Sequence, residues 1–464
     1  MSFDHGLLDS APVLSQFRLE MIDSGIAHMI FDAPGRSMNV YAKEAISDVN
    51  SMTDWLPGSG LRGLLVSSGK DSAFCAGANL EEMAAAYRAL IALPEADRPA
   101  EVRRFHGRVG RGFRALEKTG VPIAVAIRGL ALGAGCEFAM AGHYRVMADV
   151  PRSALGLPES LVGLYPGGGG TQRMPRLVGL ERSLPILFDG DRLQAREAVA
   201  TGAAHEVVPE GKEIEAALAW LKSGPEAIQP WDRPGYQFMT QAEVDAALKP
   251  VRDRLLDETH GLIPSVTATL ECLERGLAQD MEEAVLTEID VLGTFIARPE
   301  PRDMVRTQFL GKQVYRKREK AGALPPALDA LKADVASAYA AMANSLGRDR
   351  AETAWREALF GHNLPARQAG GAAKADLSVL PEIPAIAPTG HWIENPQNDW
   401  QAAAARLVAS AALAAAVYRD AFDADGQKMA DYAVQSEIGF PIYLGGPFAL
   451  LDSVGSAGVR RMLG

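Results

Sequence analysis

The sequence predicts an α/β core followed by a largely helical second half. Two patterns carry this reading. Over roughly the first 200 residues, short β-rich runs such as GLLVSS (Gly63–Ser68), VPIAVAI (Val121–Ile127) and HYRVMAD (His143–Asp149) alternate with longer helical patterns, which implies parallel pairings with helical crossovers. From Glu243 to Arg318, and again over Leu328–Phe360 and Trp400–Leu463, the chain reads as helix after helix.

In chain order, FRLEMIDSGIAHMIFD (residues 17–32) reads as a β-hairpin turning near Asp23–Gly25. GSGLRG (Gly58–Gly63) fits the G-x-G-x-x-G dinucleotide fingerprint. That motif needs a strand before it and a helix after it, whereas here Pro57 precedes and a strand-like run follows, so it reads as a loop. LEEMAAAYRALIAL and VRRFHGRVGRGFRALEKT read as helices, and Arg192–Pro209 as a helix, a turn at Gly202 and a short strand. A Gly/Pro junction lies at Lys317–Leu328, and a long Pro/Gly/Ala-rich linker or ordered loop at Leu364–Asp399. The expected organisation is a core over 1–240, a helical extension over 241–324 and a helical domain over 325–464.

Composition excludes several classes. The net charge of -11 argues against a nucleic-acid partner, which requires a basic face. Three cysteines (Cys75, Cys136, Cys272) make no disulfide framework, which fits a reducing, cytoplasmic setting; no His/Cys spacing suggests a metal. The start, MSFDHGLLDSAPVL, lacks the pattern of a secretory signal. Gln401–Tyr418 is apolar but alanine-rich and interrupted by Arg406, so it reads as a packed helix rather than a membrane span.

Three stretches carry chemistry. In SGKDSAFCAGANLEEM (Ser68–Met83) a strand ends in small residues and a helix begins near Asn79 or Leu80. This is either a tight turn or a place where helix N–H groups meet an anion. In RGLALGAGCEFAMAGHYR (Arg128–Arg145) a buried strand is followed by LALGAG, read as a flexible turn, and by a helix carrying Glu137 among Cys136, Phe138, Ala139 and Met140. That glutamate either complements the helix dipole or does chemistry. Two such turns can supply two N–H donors to one oxygen, an oxyanion hole. In ALGLPESLVGLYPGGGGTQRMPRLVG (Ala154–Gly179), Glu159 also sits among apolar residues. The glycines Gly167–Gly170 allow positive φ and close packing before a helix starting near Thr171; the absence of GK[ST] excludes a Walker loop.

In combination these stretches resemble the crotonase (enoyl-CoA hydratase/isomerase) superfamily, over roughly residues 15–220. The resemblance implies a ββα spiral core and an acyl-CoA substrate. It places the oxyanion hole at the backbone N–H groups of Ala78 and Ala134. It makes Glu137 and Glu159 the catalytic pair, with Gly167 packing against the water they hold. Coenzyme A is expected near Arg36, Ser37, Asn79 and Leu80, although Arg36 reads equally well as a surface-loop residue. Retention of both glutamates favours hydration of a 2,3-enoyl thioester to a 3-hydroxyacyl thioester, with isomerisation as a side activity. The alternatives are an isomerase or another crotonase reaction on an acyl-CoA, and a scaffold subunit of a fatty-acid oxidation complex with a thiolase-like partner. A homo-oligomer is expected.

The second half resembles the linker helix of bifunctional fatty-acid oxidation α-subunits and the helical C-terminal domain of 3-hydroxyacyl-CoA dehydrogenases. Only Lys317–Lys332 occupies the place of the intervening nucleotide-binding domain, and His362 lies in the wrong setting for the dehydrogenase histidine. No NAD cofactor and no dehydrogenase activity are therefore expected.

Overall fold

The computed structural model describes residues 5–105, 107–296, 298–358, 380, 382, 383 and 392–464. The chain forms two units: Met1–Ala86, Ala92–Val251 and Ser265–Thr294 in the first, and Tyr87–Ile91, Arg252–Pro264 and Phe295–Gly464 in the second. His362 and most of the Pro/Gly-rich stretch Leu364–Asp399 lie outside the described residues.

The first unit carries the strands β1 (Phe17–Asp23), β2 (Ile26–Phe31), β3 (Gly63–Ser68), β4 (Ala73–Cys75), β5 (Ile123–Ile127), β6 (Leu130–Leu132), β7 (Tyr144–Ala148), β8 (Ala154–Gly156), β9 (Arg192–Gln194) and β10 (Glu206–Val208). They form two sheets, ordered β1-β2-β3-β5-β7-β10 and β4-β6-β8-β9. The expected hairpin is β1 with β2, antiparallel, Phe17 opposite Phe31. From β2 onward the larger sheet is parallel. Its central strands β3 and β5 read as near-continuous apolar runs because both faces are buried.

The order of the two sheets shows the ββα spiral. β3, β5 and β7 enter the larger sheet, and each is followed at once by β4, β6 or β8 in the smaller one. Helices return the chain to the larger sheet after β4 and β6; after β8 the chain first adds β9 to the smaller sheet and then β10 to the larger one. The four strands of the smaller sheet are three residues each and leave no readable period in the sequence. LALGAG is accordingly not one flexible turn: Leu130–Leu132 is β6, paired in parallel with β4 and β8. Only Gly133, at φ 53°, separates that strand from the Ala134–Ala141 helix.

That helix is pinned by its own apolar side chains. The ring of Phe138 lies 5.6 Å from Phe113 and about 6 Å from Phe17, Tyr41 and Phe74, centroid to centroid. Its neighbour Glu137 is thereby fixed in direction. Residues Ser265–Thr294 join the same unit: Leu273 of the Pro264–Gly276 helix and Leu277 just after it enter its core, and Met281, Val285 and Ile289 of the Met281–Phe295 helix pack on Trp231.

In the second unit the Ala327–Leu346, Arg348–Ala358 and Pro447–Leu463 helices pack around the Asp399–Ala416 helix. Asn398 caps its start by accepting from the Gln401 N–H at 2.9 Å. Alanines and Leu407, Val408 and Leu413 bury it on most of its circumference, as expected for a helix inside a bundle. No described helix is long and apolar enough to cross a membrane.

Buried Asn39 ties the loop after β2 to the edge of the smaller sheet. Its amide donates to the carbonyls of Phe31 (2.7 Å) and Phe74 (3.1 Å) and to Ser68 Oγ (3.1 Å), while its Oδ1 accepts from the Ala33 N–H. Its own carbonyl accepts from Ala76. Asn39→Ala removes four buried hydrogen bonds, that of the Ala33 N–H among them, and should lower unfolding free energy by roughly 3 kcal/mol. Denaturant titration checks this, and a loss below about 1 kcal/mol contradicts it.

Candidate active site

The first two chemical stretches meet through glycines. Gly77 (φ 100°) and Gly133 (φ 53°) sit back to back: a Cβ built on Gly133 falls 3.5 Å from Gly77 Cα, and one built on Gly77 falls 3.2 Å from the Leu132 carbonyl oxygen. No other residue type combines those φ values with that approach. Each glycine precedes one of the two expected N–H donors. On the Ala78 side, a single parallel bridge to Tyr41 uses the Gly77 carbonyl and the Asn79 N–H, and the Ala78 N–H takes no part in it. On the other side, Ala134 is the first residue of its helix, where an N–H has no intrahelical acceptor. The Ala78 and Ala134 amides accordingly stand on adjoining turns.

Glu159 reaches the same place. It lies on the short Pro158–Val162 segment after β8, and its Oε1 is 2.9 Å from the Cβ position of Gly133. Its Oε2 is buried without a hydrogen-bond partner. Burial first, and then the neighbouring charges of Glu137 and Glu288, push its carboxyl well above the usual carboxylate range.

Glu137 is buried too, but its oxygens are served differently. Oε1 accepts from the N–H of Gly168 (2.7 Å) and of Gly170 (2.8 Å). Burial raises its carboxyl; the two N–H donors and the Arg173 guanidinium oppose that rise. Three of the four glycines therefore have a specific reason. A Cβ on Gly168 falls 2.6 Å from Glu137 Oε2, and one on Gly170 falls 2.8 Å from Glu137 Oε1 and 2.6 Å from Pro166 Cβ. Only Gly169 of the four has positive φ. Gly167 faces Leu292 of the Met281–Phe295 helix, 3.4 Å from the position of its Cβ. The helix after the run starts at Gly170, one residue earlier than expected.

Three charged residues that sequence reasoning missed hold this arrangement. Arg173, fully buried, donates to the Gly168 carbonyl (2.8 Å) and to Glu117 (2.6 Å). Glu117 also takes Arg114 at 2.8 Å. Glu288, at 0% exposure, accepts from Gly169 and Thr171. A signal for Glu288 existed: it falls on the stripe Met281, Val285, Glu288, Leu292, Phe295, whose other members are apolar and buried.

The four expected coenzyme A residues are placed as follows. Arg36 and Ser37 lie exposed on the loop after β2, and the Ser37 carbonyl accepts from Ser72 Oγ at 2.9 Å. Asn79 sits at the head of the Leu80–Ile91 helix, donating to Glu82 Oε1 at 2.7 Å and accepting from the Glu82 N–H at 3.4 Å. Leu80 is half-buried beside it. No group of three or more His, Cys, Asp or Glu side chains placed to hold a metal ion occurs among the described residues.

A ββα spiral with two glycine-backed amide turns and a buried carboxylate pair defines the crotonase class. Residues 21–230 match the family model described as enoyl-CoA hydratase/isomerase, and this part of the chain belongs to that family. Among curated proteins, the chain is 32% identical over 319 residues to the fatty acid oxidation complex subunit alpha of Shewanella amazonensis, and 31% identical over 321 residues to that of Shewanella loihica. Each match covers 67% of this chain and 43% of the relative, so the chain spans less than half the length of these relatives. Among solved structures, the enoyl-CoA hydratase of Bacillus anthracis shares 21% identity over 65% of this chain and 96% of its own, with a TM-score of 0.40. That of Bacillus halodurans shares 16% over 63% of this chain and 99% of its own, with a TM-score of 0.44.

Gly168→Ala tests the contact between the glycine run and Glu137, because Gly168 is not at positive φ and the added methyl meets the carboxylate itself. Displaced from its two N–H donors, Glu137 loses the interactions that favour its ionised form, and its pKa should rise further. Infrared titration of the buried carboxyls, with Glu137→Gln as the subtraction, reads this. An unchanged titration contradicts the contact.

Proposed function

We propose that the chain adds water across the 2,3 double bond of an enoyl-CoA thioester to give the 3-hydroxyacyl thioester. The observation that carries the reading is the unequal provision of two neighbouring buried carboxyls. Glu137 has two N–H donors on one oxygen and a nearby guanidinium, which favour the carboxylate a base requires. Glu159 has a buried oxygen with no donor and two acidic neighbours, which favour the protonated form an acid requires.

Hydration places OH on C3 and H on C2 and drives charge onto the thioester oxygen. Amides of Ala78 and Ala134, fixed by Gly77 and Gly133 before substrate arrives, would receive that charge without reorganising. Loss of one such donor typically costs roughly 3–4 kcal/mol in the transition state. Glu137 takes a proton from water as its oxygen attacks C3, and Glu159 delivers a proton to C2. The pair together neither gains nor loses a proton, so the site is ready for the next turnover once the two exchange.

No dinucleotide step belongs to this reading. Residues 321–326 alone join the Lys312–Lys320 and Ala327–Leu346 helices, where the dehydrogenase resemblance would put a nucleotide-binding domain. In this reading the helical second unit serves subunit contact in the expected homo-oligomer.

Loss of conjugated-thioester absorbance over a series of enoyl-CoA chain lengths tests the reaction, with NAD added afterwards and a 3-enoyl-CoA run in parallel. Hydration without NADH is expected. Glu137→Gln and Glu159→Gln should each lower turnover by about a hundredfold or more while leaving the fold intact. Either variant keeping more than about a tenth of the activity contradicts the role given to that residue. Conversion of only the 3-enoyl substrate would assign the site to isomerisation instead.

A further inference from the structure

The third carboxylate, Glu288, has no part in the chemistry above, yet it holds the same turn. The backbone N–H groups of four successive residues are divided alternately between two glutamates. Gly168 and Gly170 donate to Glu137. Gly169 and Thr171 donate to Glu288, at 2.5 and 3.1 Å, and the Thr171 hydroxyl adds a third bond. Alternation puts the two carboxylates on opposite sides of one strip of backbone. Arg173 holds the same strip through the Gly168 carbonyl. A shift of the turn toward or away from Glu288 therefore carries the Glu137 donors with it.

Glu288 is itself anchored. It lies in the middle of the Met281–Phe295 helix, and its backbone carbonyl accepts from Tyr165 at 2.9 Å, just ahead of the glycine run. Leu292, one turn on, packs toward Gly167. The helix thus grips the turn at three points. A carboxylate in that apolar stripe is costly to bury, and what holds it there is the three donors of the glycine turn, which a leucine would leave unpaired.

We propose that Glu288 is a positioning residue for the hydration site: it clamps the glycine turn from the side opposite Glu137 and so fixes where the Gly168 and Gly170 amides hold the Glu137 carboxylate. The inference rests on the hydratase reading of Glu137. The titratable and charged groups facing Glu288 are Glu137, Glu159 and Arg173, with Cys272 from the Pro264–Gly276 helix and Tyr165 before the turn. Burial holds Cys272 and Tyr165 neutral, so Glu137, Glu159 and Arg173 are the groups whose charge couples to it. Burial first, and then the Glu137 charge, push the Glu288 carboxyl itself up to about 8, against the Thr171, Gly169 and Arg173 contacts. Over the alkaline range where Glu288 is ionised, its charge raises the Glu159 carboxyl, and its removal should lower it there.

The test compares Glu288→Gln, which keeps the shape and removes the charge, with Glu288→Asp, which keeps the charge at shorter reach. In Glu288→Gln, kcat should fall by roughly ten- to a hundredfold with KM within about threefold, the size expected for a misplaced catalytic group. The alkaline limb of its pH–kcat profile should move to lower pH; in Glu288→Asp, kcat falls while the limb stays in place. Infrared titration of the buried carboxyls, which needs no turnover, should show the same downward move in Glu288→Gln alone. Hydrogen exchange over residues 166–174 should quicken in both variants. Unmoved limb, infrared titration and kcat, with only a lower Tm, would overturn the proposal and leave Glu288 a structural residue. If the wild-type protein does not hydrate enoyl thioesters, the infrared and exchange measurements still decide: changes there keep the clamp and discard the hydratase reading, and their absence discards the clamp.

Discussion

Two hydrogen bonds, from the Gly168 and Gly170 N–H groups to one oxygen of Glu137, set the terms for the rest of the first unit. A buried carboxylate without donors would take up a proton and lose its basicity. Supplying backbone donors requires a turn close enough to touch the side chain, and that closeness removes Cβ atoms from positions 168 and 170. A turn without Cβ atoms is pliant, and the surrounding charges counter that. Arg173 takes the Gly168 carbonyl, Glu117 takes Arg173, and Glu288 takes the alternate amides. The ion-paired groups here are buried, where a lone charge would be costly, and removal of one partner strands the other.

The same economy of backbone appears on the facing side. Gly77 and Gly133 let two chain turns approach until their backbones touch, and each leaves the following amide free of the hydrogen bonds around it. Donors held this way are oriented by the sheets and not by any ligand, because the smaller sheet's β4 and β6 end at these two turns. Three-residue strands that contribute little stability of their own thus acquire a purpose: they bring Cys75–Ala78 and Leu132–Ala134 side by side.

Much of this was legible in the sequence, and the omissions have physical causes. Glu137 and Glu159 stood out because each is a lone carboxylate in an apolar run, a pattern that neither a solvated face nor a core explains. The long parallel strands were readable because burial on both faces leaves unbroken apolar runs. The strands β4, β6, β8 and β9 were not, since their pairing is set by tertiary approach. Glu288 was missed for the opposite reason to Glu137: it lies on a long helix rich in acids, where one more glutamate reads as part of the solvated face until its place in the stripe is counted. Arg173 and Glu117 are 56 residues apart, and no local pattern announces a buried pair across that distance.

In the proposed reaction the adjoining amides and the paired carboxyls form one site around a thioester. A crystal structure with a bound, non-reacting acyl-CoA thioester checks this arrangement. The thioester oxygen should lie within roughly 2.7–3.2 Å of the amide nitrogens of both Ala78 and Ala134, with the acyl C2–C3 bond between Glu137 and Glu159. A thioester oxygen held by side chains, by a metal ion or at another place in the unit would contradict it.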